Sequence, residues 1–133
     1  MEDLIYAAGL FDGEGTVTLT KQKASQPFKT PVACMTSTSK ELVDFMQQKF
    51  GGTLTYRPSQ NANWQSAWVW RVSYDTALDF FEKIQPFVRE KNKRRRIDLL
   101  LAEYKTITIR NGKYSAEQRK AKEDFEFRFF HPD

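Results

Sequence analysis

A predicted helix runs directly into a predicted strand at Gly13-Glu14-Gly15, and no other feature constrains the fold as strongly. Upstream, apolar residues recur at helical spacing and form a stripe that can pack on the chain's own sheet, namely Leu4, Ala7, Leu10 and Phe11. Downstream, residues 16–20 alternate polar and apolar side chains, as a half-buried strand does. Gly13 suits the left-handed residue that ends a helix, and Gly15 permits close backbone approach. The Glu14 carboxylate is thereby held at the mouth of a sheet, where a hard metal ion would find a ligand.

The same helix carries a second face with small side chains, formed by Ile5, Ala8, Gly9 and Asp12. Small residues let two backbones come close, so this face could pack against the same helix of a second chain. An ordinary buried helix with a glycine cap would produce the same spacing. The pattern by itself leaves both interpretations open.

The rest of the chain predicts two strands, a helix, two strands, a helix, and then further helices. The predicted strands are Thr16 to Lys23, Phe28 to Thr36, Thr53 to Arg57 and Trp64 to Ser73. One predicted helix follows a capping box at Thr38, and a second follows a cap at Asp75. A basic helix follows Pro86 and runs from Phe87 to about Lys105. A last helix follows a second capping box at Ser115 and runs toward Phe127. This order predicts one α+β domain over residues 1–133, with a core at about 3–105 and a C-terminal helical extension at 106–133. Its four-stranded antiparallel sheet would have helices on one face and an open second face.

Three single residues carry further expectations. Pro31 should place its strand at a sheet edge or at a bulge, because proline cannot donate to a strand ladder. Cys34, the only cysteine, excludes an internal disulfide and a multi-cysteine zinc site, and it reads as a small core residue. His131, the only histidine, is a poor candidate for catalysis, so the chemistry must come from carboxylates, lysines and a bound ion.

Charge and hydropathy restrict the partners. The formal net charge of +4 modestly favours a polyanion. No apolar run is long enough to span a membrane, and Glu2 and Asp3 stand where a secretion signal would be basic, so we expect an intracellular protein without a membrane partner.

Residues 7–15, Ala-Ala-Gly-Leu-Phe-Asp-Gly-Glu-Gly, resemble the LAGLIDADG motif of homing endonucleases in its variant ending Gly-Leu-Phe-Asp-Gly-Glu-Gly. The motif departs from the family pattern at Ala7, Phe11, Gly13 and Glu14, but it keeps the carboxylate. The resemblance covers roughly residues 3–105. It implies the αββαββα LAGLIDADG fold, in which the sheet forms a DNA-binding saddle. Since the chain carries one motif, the resemblance also implies a homodimer whose motif helices meet at the symmetry axis.

The resemblance also implies the chemistry. Mg²⁺ would be bound by the two Glu14 carboxylates of the dimer, the carbonyls of Gly13 and Gly15 could add ligands, and we expect Mn²⁺ to substitute. Lys91 matches the catalytic lysine of relatives, although it could equally belong to a solvated basic helix face. Either Thr36 or Ser37 would order water, with Ser37 preferred, and Asp12 would have a more structural role.

Double-stranded DNA would be read by the open face of the sheet, because a two-stranded ribbon fits the major groove. The candidate contacts are Thr16, Thr18, Thr20, Gln22, Lys23, Lys29 and Thr30 on the first ribbon, and Arg57, Gln65 and Arg71 on the second. Lys93 and the arginines at 94–96 are candidates for phosphate contacts. Exposed threonines are also simply good strand formers, and a basic helix face can be merely solvated.

Together these expectations describe a homodimeric, Mg²⁺-dependent endonuclease that makes a double-strand break at a long, near-palindromic site. The short chain suggests an intron-encoded protein, in a bacterial or phage cytoplasm or in an organelle such as a mitochondrion or chloroplast. One rival is a cleavage-inactive family member that acts as an intron-RNA maturase or DNA-binding regulator. A structural dimerisation module is the third possibility, and it would leave the basic saddle without a purpose.

Overall fold

The computed structural model describes residues 1–61, 63, 65–109 and 112–132. It confirms the predicted order of elements. These are α1 (Glu2–Glu14), β1 (Gly15–Thr20), β2 (Thr30–Ser37), α2 (Lys40–Phe50), β3 (Thr53–Arg57), β4 (Ala67–Ser73), α3 (Tyr74–Ile84), a 3-10 turn (Gln85–Phe87), α4 (Lys91–Ile107) and α5 (Ala116–Phe130). Trp64, the predicted start of the fourth strand, lies outside the described residues, as does Asn111, which stands before Gly112 in a pair that is typical of a turn.

The four strands form one antiparallel sheet in the order β1-β2-β4-β3. Val17 and Leu19 point to the helix-covered face, as their alternation predicted, and both are buried. The expectation that Pro31 marks an edge strand or a bulge is wrong, because β2 lies inside the sheet. Pro31 pairs with Leu19 of β1, and β2 begins to pair with β4 only at Val32. The proline therefore occupies the part of β2 that has one neighbouring strand.

Aromatic side chains fill the core between the sheet and the helices. Phe80 of α3 makes edge contacts with Phe11 of α1 and Trp70 of β4, each at 5.1 Å between ring centroids. The indole N–H of Trp70 donates to the Gly51 carbonyl at 2.8 Å, which satisfies its one polar atom. Trp70 of β4 lies on the helix-covered face and is fully buried. Motif helix and sheet are thus joined by one continuous core.

The aromatic C-terminal segment forms α5 and packs against α4. Its start has the predicted capping box, with Ser115 and Gln118 exchanging hydrogen bonds. Phe125 and Phe129 are fully buried in the central core. The extension is therefore part of the domain's core.

Several helix ends differ from prediction. Residues Gly13 and Glu14 remain helical, and Gly15 follows with an extended φ of −91°, so the expected left-handed Gly13 is wrong. Gly15 is needed because a Cβ there would lie 2.2 Å from the Phe11 ring. The caps of α2 and α3 are Ser39 and Ser73, each one or two residues from the expected position.

The start of α4 also differs from prediction. A helix from Phe87 was expected, but the backbone is extended at Val88 and α4 begins only at Lys91. Glu90 caps the helix, since its carboxylate accepts from the backbone N–H groups of Asn92 and Lys93 at 3.2 and 2.7 Å. The Lys93 N–H holds the pKa of the Glu90 carboxyl below its ordinary value. The resulting turn at 88–90 faces the end of the motif helix, as described below.

Candidate functional site

The open face of the sheet presents the polar side chains that alternation assigned to it. Register places Thr16, Cys34, Arg71 and Thr53 in one row across all four strands. Cys34 was expected in the core, and that expectation is wrong: it lies half-buried in this row, where burial raises the pKa of its thiol. Sequence reasoning did not include Thr53 among the candidate DNA contacts, although it lies on the same face of β3 as Arg57, which was a candidate.

Four predicted DNA-contact residues form a hydrogen-bonded network at the outer end of β1. The Gln22 amide donates to the hydroxyls of Thr20 and Thr30 at 3.2 and 3.1 Å. Arg71 of β4 reaches across β2 and donates to the Thr20 hydroxyl at 3.1 Å. Thr30 is only 7% exposed, and its own hydroxyl donates to the Thr20 carbonyl. Thr30 is therefore a buried hydrogen-bond partner of Gln22, and its predicted role as a direct DNA contact is corrected.

The other predicted DNA contacts lie around this network. Thr16, Lys23, Arg57 and Gln65 are exposed, and Thr18 is half-exposed. Lys29 is partly engaged elsewhere, since its ammonium lies 4.7 Å from the Phe130 ring centroid and its backbone N–H donates to Glu126. The face thus retains exposed donors from β1, β3 and β4.

Glu14 is the last residue of α1, at the point where the open face begins. Its side chain is exposed and makes no hydrogen bond or ion pair with the part of the chain that the structure describes. Met35 pairs with Gly15, so the next residue, Thr36, lies at the end of the ladder nearest Glu14. Thr36 shares the open face with Cys34, whereas Ser37 shares the helix-covered face with Trp68, its partner in β4, and accepts a hydrogen bond from the Ser39 N–H. The preference for Ser37 over Thr36 is therefore wrong, because strand alternation turns Ser37 away from the open face.

Asp12 joins the motif helix to the turn before α4. Its carboxylate accepts from the backbone N–H groups of Arg89 and Glu90 at 2.9 and 3.2 Å. Its carbonyl lies in the last turn of α1, where helix geometry leaves it without a helical donor, and it accepts from the Lys93 ammonium at 2.5 Å. The first turn of α4 is thereby fixed against the Glu14 end of α1.

The basic run at 93–96 was predicted to contact phosphates, but each of its side chains has a partner within the chain. Lys93 binds the Asp12 carbonyl, Arg94 donates to the Val88 carbonyl, Arg95 donates to the carbonyls of residues 128 and 129, and Arg96 donates to the Val17 carbonyl. Burial lowers the pKa of Arg96. The run therefore fastens α4 to its neighbours, and its phosphate contacts stay a prediction.

Lys91 differs from this run. It is exposed at the first position of α4 and lines a groove between α4 and α5 together with Arg95 and Asp98. Lys93 contacts the C-terminal end of the motif helix, although sequence reasoning placed it on DNA instead. Helical spacing could have suggested this, because Lys93 lies one turn before the buried Ile97.

The exposed face of α1 is narrower than predicted. Ile5 is 50% exposed, and a Cβ added at Gly9 or Gly13 would meet no atom within 4 Å. Ala8 is fully buried in the chain's own core, so its assignment to a face for a second chain is wrong. Asp12 is half-buried and borders a groove beside this face. Ile5, Gly9 and Gly13 therefore form the open stripe of α1.

The described residues of one chain offer few ligands for a metal ion. The described residues contain no cluster of three or more histidine, cysteine, aspartate or glutamate side chains. The Glu14 carboxylate and the Gly13 carbonyl at the end of α1 are hard oxygen donors of the kind that Mg²⁺ prefers. Since Mg²⁺ keeps several waters and readily binds phosphate oxygens, one carboxylate from each of two chains fits its chemistry.

Comparison with known proteins gives a family and a fold. Residues 2–85 match the sequence model of the LAGLIDADG-like domain, and no curated protein matches the chain. The group I intron-encoded homing endonuclease I-CeuI, solved with DNA, is 18% identical with a TM-score of 0.55; the alignment covers 79% of this chain but only 56% of that chain. I-CvuI, solved with its target and 2 mM Ca, is 15% identical over 93% and 96% of the two chains, with a TM-score of 0.57. I-TnaI is 12% identical over 98% and 89%, with a TM-score of 0.63.

These likenesses to solved structures concern the fold, which is the α+β fold with a four-stranded antiparallel sheet that the element order predicted. Within the described ranges, no helix has the length and apolarity needed to cross a membrane.

Proposed function

The chain belongs to the LAGLIDADG-like domain family, and on that premise we propose that it is a homodimeric, divalent-metal-dependent endonuclease that cuts double-stranded DNA at a specific site. The observation that carries this proposal is the position of Glu14. A carboxylate without a partner among the described residues ends the motif helix, beside an open sheet face rich in hydrogen-bond donors. A protein that only bound DNA would gain nothing from a negative charge there.

The catalytic roles follow from what surrounds Glu14. Glu14 and the Gly13 carbonyl would hold Mg²⁺ or Mn²⁺, which when bound can lower the pKa of a water molecule and stabilise the leaving oxygen. Thr36, on the open face, could orient that water. Lys93 supplies positive charge at the same end of α1, where it binds the Asp12 carbonyl, and we propose that Lys91, exposed at the start of α4, adds to it.

The homodimer would use the open stripe of α1. Ile5, Gly9 and Gly13 recur every fourth residue and leave room for a second backbone. Pairing of two such stripes about a two-fold axis would bring the two Glu14 residues together. The two open sheet faces would then form one long surface, which suits a near-palindromic DNA site.

The test uses DNA that spans the uninterrupted version of the locus that carries the gene. Wild type, Glu14→Gln and the matched control Glu82→Gln, which changes an exposed carboxylate on α3, are assayed with Mg²⁺ and with EDTA. Binding is measured separately with Ca²⁺. We expect discrete double-strand cutting by wild type and Glu82→Gln in Mg²⁺ only, and binding without cutting by Glu14→Gln.

Two outcomes would contradict the proposal. Tight, salt-sensitive binding without cutting by any variant would favour a cleavage-inactive protein, and the same assay would then be repeated with the intron RNA. Absence of binding would remove the DNA-based proposal altogether.

Sedimentation tests the dimer. Gly9→Leu fills the open stripe and should yield a monomer, whereas Thr76→Leu places the same side chain on an exposed position of α3 and should not. A wild-type monomer, with or without DNA, would overturn the homodimer.

A further inference from the structure

The contacts of Asp12 carry an inference that rests on the proposed nuclease and deepens it. We propose that Asp12 is a positioning residue, which fixes the lysine-bearing first turn of α4 beside the Glu14 end of the motif helix. Asp12 is two residues from Glu14, so the group that orients the turn and the group that would hold the metal share one rigid helix end. The relation between the two is thus set within a single turn of α1.

The geometry assigns both oxygens of the Asp12 carboxylate to this task. One accepts from the Arg89 N–H at 2.9 Å and the other from the Glu90 N–H at 3.2 Å. Those N–H groups precede Lys91 directly, and the backbone there is not helical. Two bonds to neighbouring amides fix both the position and the direction of a backbone segment, which one bond would leave free to pivot.

A second contact leads from the same residue to the same turn. The Lys93 ammonium donates to the Asp12 carbonyl at 2.5 Å, and Glu90 caps the helix that carries Lys93. Asp12 therefore holds the turn before α4 through its side chain and the helix itself through its backbone. This explains why a helix predicted from Phe87 starts four residues later: the amides of 89 and 90 are bound to Asp12 and not to a preceding helical turn.

The consequence is catalytic because the cations of this turn must lie at a fixed distance from the reacting phosphate. A misplacement of about 1 Å can cost about 100-fold in rate. Removal of the Asp12 carboxylate should therefore slow the chemical step while DNA binding, which depends on the exposed donors of the sheet face, is preserved.

The experiment compares Asp12→Ala and Asp12→Asn with Asp3→Ala as the matched control. Asp3 lies on the same helix, and its carboxylate forms an ion pair with Lys49 at 2.7 Å, far from α4 in sequence. Single-turnover cleavage in Mg²⁺ should fall about 10- to 100-fold for Asp12→Ala, with a smaller loss for Asp12→Asn, which keeps one acceptor. The Kd in Ca²⁺ and the sedimentation coefficient should match wild type, which separates positioning from loss of the dimer.

A double-mutant cycle tests whether Asp12 acts through Lys91 or through Lys93. Asp12→Ala is combined with Lys91→Met and with Lys93→Met, and the losses in rate should be clearly less than additive with at least one lysine. Additive losses with both lysines, or an equal loss for Asp3→Ala, would overturn the proposal.

Amide hydrogen exchange provides a readout that does not require cleavage. The amides of Arg89 and Glu90 should exchange faster in Asp12→Ala than in wild type, while those of α2 remain unchanged. If wild type binds but never cuts, the proposed nuclease fails and the catalytic role of Asp12 fails with it. Unchanged exchange in a cutting enzyme overturns the positioning role alone.

Discussion

The guanidinium of Arg71 on β4 reaches over the intervening strand β2 and donates a hydrogen bond to the Thr20 hydroxyl on β1, at 3.1 Å. Val32 of β2, which lies on this open face, is only 1% exposed. The bond to Thr20 favours one orientation of Arg71 across the open face, and a planar guanidinium suits bidentate recognition of guanine.

The first prediction concerns base discrimination by Arg71. Arg71→Ala should lose about 1 to 3 kcal/mol of preference at one base pair of each half-site, as expected for one bidentate contact. Thr20→Val should weaken preference at the same base pair, because it removes the acceptor that orients Arg71. Both are measured by binding in Ca²⁺ to targets substituted at each position, with Thr76→Val on α3 as the control. Loss of preference at unrelated positions in the two variants would contradict the link between them.

The second prediction separates arginines of the scaffold from arginines of the DNA surface. Arg96 donates to the Val17 carbonyl at 2.8 Å and lies 4.7 Å from the Phe129 ring centroid, so Arg96→Met should lower the free energy of unfolding by about 2 to 4 kcal/mol. DNA binding by Arg96→Met should have the same salt dependence as binding by the wild type. Arg57→Met, at an exposed position of the open face, should weaken DNA binding and leave stability unchanged. Urea unfolding and binding at several salt concentrations test both, and a reduced salt slope for Arg96→Met would show that it contacts DNA after all.

The third prediction concerns the close approach of Phe11 to Gly15. Gly15→Ala should destabilise the protein by about 1 to 3 kcal/mol, because the added Cβ would lie 2.2 Å from the Phe11 ring. Phe11→Leu should also destabilise, since it truncates a fully buried ring. The double variant should be little worse than Phe11→Leu alone, because the clash has been removed. Fully additive losses in denaturant unfolding would mean that the glycine serves another purpose.

The fourth prediction concerns pH and Lys122, which is buried and donates to the Thr108 hydroxyl at 2.8 Å. Burial lowers the pKa of this amine from 10.5 to about 8, so between these values the unfolded chain binds a proton that the folded chain has released. The contribution of Lys122 to the free energy of unfolding should therefore rise with pH across this window, by at most about 1.4 kcal/mol per pH unit. The measurement is the difference in unfolding free energy between wild type and Lys122→Met from pH 7 to 10. The exposed Lys120→Met serves as the control, and a pH-independent difference for Lys122→Met would contradict the prediction.

Local patterns predicted the parts of this fold that depend on a single element. Alternation in β1 assigned Val17 to the core and Thr16 to the open face, and the structure has both residues there. In β2 both faces carry small apolar residues, so alternation could not tell that Cys34 faces outward while Ala33 faces the core.

The parts that sequence could not predict depend on contacts between distant segments. The start of α4 is delayed because Asp12 binds amides 77 and 78 positions away. The basic run looks like a solvated helix face, yet Arg96 is directed inward by a carbonyl of β1. Ser37 and Thr36 are equivalent candidates until the register of β2 decides which one faces outward.

The packing of α5 also has a consequence for biosynthesis. Phe125 and Phe129 occupy the same core cluster as Phe11 and Val17, which a ribosome translates long before them. Although Phe11 can already pack against Phe80 and Phe81 of α3, this cluster stays incomplete until α5 has left the exit tunnel. A message with a premature stop before the codon for Phe125 would yield a chain that carries the whole motif but cannot close its core. The cell thus receives a fully folded copy of this protein only after translation has passed through α5.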